Sequence, residues 1–93
     1  MVNAETAFEL LKSRMDRGGL PVPEAQETYW RQRLEAATEE LERMGIRLED
    51  TPSDLMLLAD FTAYKITNRD DPRAMPAWLR LELRERWISQ ERG

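Results

Sequence analysis

The sequence predicts an all-α fold: a small bundle of four helices with the third at its centre. Three observations point there. Apolar residues recur at three- and four-residue spacing along the chain, and no segment alternates as a strand would. Helix start and stop residues punctuate the sequence at Asn3, Gly18-Gly19, Gly45, Thr51-Pro52, Asn68 and Pro76. The stretch from Asp54 to Trp87 then places two helices in series, each apolar on two sides. A chain of 93 residues forms one domain, 1–93, near the lower end of what a single core supports. Two such helices carry more apolar surface than that chain can bury alone.

The first helix is expected over 4–16. Asn3 is a fair N-cap, and Ala4, Ala7, Phe8, Leu11 and Met15 share one face. Gly18-Gly19 stops it, and Leu20-Pro21-Val22-Pro23 is an extended connector because proline disfavours helix in the residue before it. The second is expected over 23–44, where Trp30, Leu34, Ala37, Leu41 and Met44 form one narrow seam facing the other helices. Gly45 suits the C′ position, with Ile46 folding back after it.

Thr51-Pro52-Ser53-Asp54 opens the third helix, 52–68, with a threonine cap, a proline at the first helical position and an acid three residues after the cap. At about 100° per residue, Leu55, Leu58, Ala59, Thr62 and Ile66 form one stripe and Leu57, Phe61 and Tyr64 another, as in a central helix. Asp60 falls between the stripes and needs an arginine or hydroxyl if buried. Asn68-Arg69-Asp70-Asp71-Pro72 reads as a helix stop. The fourth helix, 75–90, carries Leu79, Leu83 and Trp87 on one stripe, with Trp78, Leu81 and Ile88 across from it and Arg80 and Arg84 between. One stripe packs on the core. The other lacks an intramolecular partner, so this helix projects or forms an interface.

Composition narrows the chemistry. There is no cysteine and no histidine, which excludes disulfides, thiolate nucleophiles, Cys/His zinc sites and imidazole catalysis. The expectation is no catalytic residue, no metal and no cofactor: not an enzyme. The net charge of −4 is the wrong sign for a free-standing nucleic-acid binder. No apolar run reaches the roughly 20 residues that span a bilayer, and no basic-then-apolar leader opens the chain, so no membrane partner is expected and the chain reads as cytosolic when made.

Glu35, Glu39, Glu40 and Glu42 resemble a hard-cation or acid–base cluster, but a bundle site needs ligands from other helices and no Glu-x-x-His occurs. They are read as a solvated face. Arg80, Arg84, Arg86 and Arg92 could meet DNA phosphates. Glu82, Glu85 and Glu91 are interspersed, so surface pairing at i, i+4 or an acidic partner is the better account. Trp30, on a clean seam, reads as core. Trp78 and Ile88 fit core and interface equally, since tryptophan is also a frequent interface anchor.

Leu57-Leu58-Ala59-Asp60-Phe61-Thr62-Ala63-Tyr64, closing on Asn68, Arg69 and Asp70, resembles the third-helix signature of small phage head–tail connector (head completion, adaptor) proteins. The order of the other pieces is similar: Ala7 to Lys12 in the first helix, Ala37-Thr38-Glu39-Glu40-Leu41 in the second, then the turn Gly45-Ile46-Arg47-Leu48. The likeness covers most of residues 4–71; the tryptophan-rich segment from Met75 to Trp87 departs from it. The resemblance implies a structural protein of a tailed phage or prophage that assembles with copies of itself as a ring beneath the portal. Its partners would be the portal and tail-completion proteins, with DNA passing through the channel without sequence-specific binding. It would reside in the host bacterial cytoplasm during assembly and then in the virion. Residues and resemblance converge on assembly, and the pattern of the last helix supplies the interface candidates Trp78, Leu81, Ile88, Arg80 and Arg84. The alternative is a small helical DNA-binding module, a regulator or packaging accessory, working through the arginines of the last helix.

Overall fold

Helix α3, Pro52–Asn68, is the hub because its sequence leaves it no polar side along most of its length. Leu55, Leu58, Ala59 and Thr62 on one stripe and Leu57, Phe61 and Tyr64 on the other are all buried. The computed structural model describes residues 2–15, 22–68 and 75–92 and, among these, contains four helices and no strand. The others are α1, Ala4–Arg14, α2, Glu24–Arg43, and α4, Ala77–Arg92. All three contact α3, while α1 and α2 meet each other only narrowly. The core joins Phe8 and Leu11 of α1, Trp30, Leu34, Ala37 and Leu41 of α2, the α3 stripes, and Leu79 and Leu83 of α4.

Each end follows from its residues. The Asn3 side chain accepts the Thr6 N–H at 3.1 Å, and the Asn3 N–H donates to Asp50 Oδ1 at 3.1 Å, tying the start of α1 to the α2–α3 connector. α2 ends in a Schellman turn: Gly45 N–H donates to Glu42 O and Ile46 N–H to Leu41 O, each at 3.0 Å. Gly45 has φ +92°, a conformation that a side chain resists. Thr51 Oγ1 accepts the Asp54 N–H at 3.3 Å and Pro52 occupies the first helical position, as the sequence predicts. The Thr62 hydroxyl, fully buried, donates to Leu58 O at 2.7 Å and so carries no unsatisfied group into the core.

Several boundaries and faces differ from expectation. α1 reaches Met15 as its C-cap, and Asp16 and the Gly18-Gly19 stop lie outside the described residues, as do Leu20 and Pro21. α4 begins at Ala77, after Met75 and Pro76, because the Pro76 carbonyl accepts the N–H groups of Leu79 and Arg80 at 3.1 Å, and it runs to Arg92. Met44 is expected in the α2 seam but is 47% exposed. It is the cap residue, where the chain turns away from the core toward Gly45.

Candidate assembly surface on the last helix

What α4 buries sets what it exposes. Leu79 and Leu83 enter the core. The same face continues, three and four residues on, with Arg86 and Gln90 rather than with Trp87. Arg86 Nε donates to Asp54 Oδ1 at 2.7 Å, and its Nη2 donates to Asp54 Oδ2 at 2.9 Å and to Arg47 O at 2.7 Å. Gln90 accepts the Arg47 N–H at 2.8 Å and donates to Gly45 O. The half of α4 beyond Leu83 is therefore held on the 45–49 connector by a polar clamp.

Asp54 is the anchor of that clamp and is only 3% exposed. In a capping box its carboxylate would reach back to the Thr51 N–H; instead it accepts the Glu49 N–H at 2.8 Å and the Arg86 fork. Burial alone would push this carboxyl up, but the Arg86 hydrogen bond, the Glu49 N–H and the Arg86 charge outweigh it. The group is held below the usual carboxylate value. Arg86 is held more firmly protonated in return, chiefly by the hydrogen bond to Asp54. Asp60 behaves oppositely. It pairs with Arg14, Nε to Oδ1 2.5 Å, yet burial dominates and raises its pKa against the opposing charge and hydrogen bond of Arg14. The arginine that the sequence requires for Asp60 is present. Sequence reasoning did not single out Arg86 or Gln90 as clamp residues; their phase with Leu79 and Leu83 was the available signal.

The interface candidates distribute around the remaining faces. Leu81 is 56% exposed and lies opposite the Leu79–Leu83 line; Ile88, on the same outward side, is half-buried. Trp78 is 45% exposed, with the Arg14 guanidinium 5.9 Å from its ring centre, so it stands at the α1 edge. Trp87, expected on the buried stripe, is 44% exposed; a Cβ on Gly45 would come within 3.0 Å of its Nε1, so it covers the α2 turn. Met44, Ile46, Met75, Leu83 and Trp87 line a shallow apolar cavity of about 400 Å³, bordered by Arg80 and Arg84. Both arginines are exposed and form no ion pair with a described residue, contrary to the expected i, i+4 pairing with the helix's glutamates. Glu82 and Glu85 turn to the other flank of α4, where they line a depression with Asp54, Asp60 and Arg86. The side chain of Arg92 and the turn residues Arg69 and Asp70 lie outside the described residues, while Asn68 is the last residue of α3.

Elsewhere the polar pattern is structural. Arg31 pairs with Glu5 at 2.9 Å and Glu27 at 3.1 Å and stacks 4.0 Å from the Phe8 ring centre, joining α2 to α1. Glu40 pairs with Lys65 at 3.2 Å, joining α2 to α3. Glu35, Glu39 and Glu42 are exposed without an ion-pair partner among the described residues. Among those residues no three carboxylates converge as a cation site would require, and no helix is long and apolar enough to cross a membrane.

No protein-family model, no curated protein and no solved structure matches this chain.

Proposed function

We propose that this chain is a structural assembly protein, a ring-forming head–tail connector that sits beneath the portal of a tailed phage or prophage. The observation that carries this reading is the apolar surface that α4 leaves exposed. Trp78, Leu81 and Trp87 remain about half exposed on one helix after Leu79 and Leu83 have closed the core. Tryptophan is a frequent interface anchor, and two tryptophans stand half in water on different sides of this helix. The likeness of the Leu57–Asn68 segment to the connector signature supplies the partners: copies of this chain, the portal and the tail-completion proteins, around a channel that passes DNA. A weakly acidic chain suits a conduit, because basic walls would hold the duplex by its phosphates.

The DNA-binding alternative loses one of its arginines to the fold, since Arg86 is taken by Asp54. Native mass spectrometry and negative-stain microscopy of the concentrated protein, alone and mixed with a portal from the same genome, test the proposal. Closed rings, weakened by Trp78→Ala or Leu81→Ala while the folded monomer persists, are the expected result. Salt-sensitive binding to duplex DNA by a protein that stays monomeric with the portal would overturn it. Portal and capsid genes beside this one are expected as well.

A further inference from the structure

Two faces of this chain complement each other and do not touch. One is the α4 flank, where Trp87 stands beside Arg80 and Arg84, which form no ion pair with a described residue, and Leu81 follows on the outward side. The other is a groove of about 500 Å³ along α2, floored by Val2, Leu34, Leu48 and Leu58 and edged by Glu35, Glu39 and Glu42. That volume lies in the range of pockets that seat bulky apolar groups.

We infer that α4 of one copy docks by its Arg80–Arg84 flank into the glutamate-edged α2 groove of a second copy. This rests on the ring-assembly reading and names its contact. Charge selects the occupant. Three glutamates edge the groove beside Arg31, whose charge is already met by Glu5 and Glu27, and the α4 flank presents Arg80 and Arg84, with Glu82 and Glu85 on the opposite side and Glu91 about two turns beyond Arg84. Spacing agrees as well: Glu35 to Glu39 and Arg80 to Arg84 are both four-residue steps, about 6 Å along a helix, so one alignment satisfies both pairs. Apolar side chains border the charges on each face, Leu34, Leu48 and Leu58 in the groove and Leu83 and Trp87 on α4, which limits water at the paired rim.

Geometry then decides the kind of assembly. Met44, which continues the α4 cavity, and the line Glu35–Glu39–Glu42 fall on opposite flanks of α2: at about 100° per residue Met44 is half a turn away from Glu35. Two copies therefore use different patches, and each keeps one patch free. The contact is heterologous and propagates head to tail, closing as a ring or continuing as a filament.

Cysteine cross-linking reads this directly, because the chain has no cysteine of its own. Thr38→Cys lies in the groove and Leu81→Cys on the α4 face. At about 1 mM protein, which half-populates even a contact of millimolar affinity, oxidation of the mixed variants should yield the Thr38→Cys to Leu81→Cys dimer well above either homodimer. Arg84→Glu should weaken self-association by on the order of tenfold, and Arg84→Glu with Glu39→Arg in one chain should recover most of it. Leu81→Cys homodimers in excess, or no mixed dimer, would overturn the pairing. Rings that form without the mixed dimer would refute the pairing and spare the connector reading. A mixed dimer that extends into open filaments, never rings, would keep the pairing and refute the ring.

Discussion

Arg86→Ala should unhook the second half of α4, and its cost can be worked from the contacts. The substitution removes two hydrogen bonds to Asp54, at 2.7 and 2.9 Å, and one to Arg47 O at 2.7 Å. It leaves a buried carboxylate with the backbone N–H of Glu49 as its remaining hydrogen-bond donor among the described residues. Breaking a buried pair from one side costs about 3–5 kcal/mol. Arg86 keeps one-fifth of its side chain in water, so solvent reaches Asp54 once it is gone, and the lower end, about 3 kcal/mol, is expected. Against a total stability of about 5–14 kcal/mol for a domain this size, that is a large share. It corresponds to a fall in Tm of about 12–24 °C.

Urea unfolding followed by circular dichroism measures it, and hydrogen exchange along residues 84–91 shows whether the loss is local to α4. A double-mutant cycle with Asp54→Asn isolates the pair, with a coupling of about 2 kcal/mol expected. pH gives an independent check. Asp54 has a folded pKa below its ordinary value of 3.8, so its contribution is fully present above that value and is lost as pH falls through the lower folded one. The advantage of the wild type over Asp54→Asn should shrink in that acid window. A cost under about 1 kcal/mol for Arg86→Ala, or no pH dependence in the difference, would refute the clamp as what seats α4.

Three further outcomes follow from the same contacts. Asp60→Asn should leave stability at pH 7 unchanged or raised, because burial lifts the Asp60 pKa. The wild type should lose ground to this variant as pH rises through the carboxylate range, read by urea titrations at several pH values. Gly45→Ala should cost about 1–2 kcal/mol, since it forces a side chain into φ +92° and puts a Cβ 3.0 Å from Trp87 Nε1; the shift in urea midpoint measures it. Leu79→Ala should cost about 2–5 kcal/mol because Leu79 is fully buried, whereas Leu81→Ala, two residues on, should stay within about 0.5 kcal/mol. Equal costs for the two leucines would mean that α4 sits in a different rotation.

How far the sequence could be read varies with the element. The two-sided α3 was legible because Leu55, Leu58 and Thr62 on one stripe and Leu57 and Phe61 on the other leave no polar face to solvate, and a short chain can satisfy that only by placing the helix at its centre. The ends at Asn3, Gly45 and Thr51 were legible because their contacts lie within a few residues. Trp87 and Met44 were misjudged for a common reason. Each extends an apolar line by one more helical step, and periodicity cannot tell where a line runs off the edge of its partner.

By itself, then, the sequence determined the helices, their order, the central position of α3 and a surplus of apolar surface on the last helix. All of these rest on short-range periodicity and capping. Tertiary structure alone decided how α4 is rotated. Its buried line passes from Leu79 and Leu83 to Arg86 and Gln90 because Asp54 and the open carbonyls of Gly45 and Arg47, more than 30 residues away, wait there for donors. That pairing, set by which unsatisfied groups meet across the fold, puts Leu81, Arg80 and Arg84 on the surface.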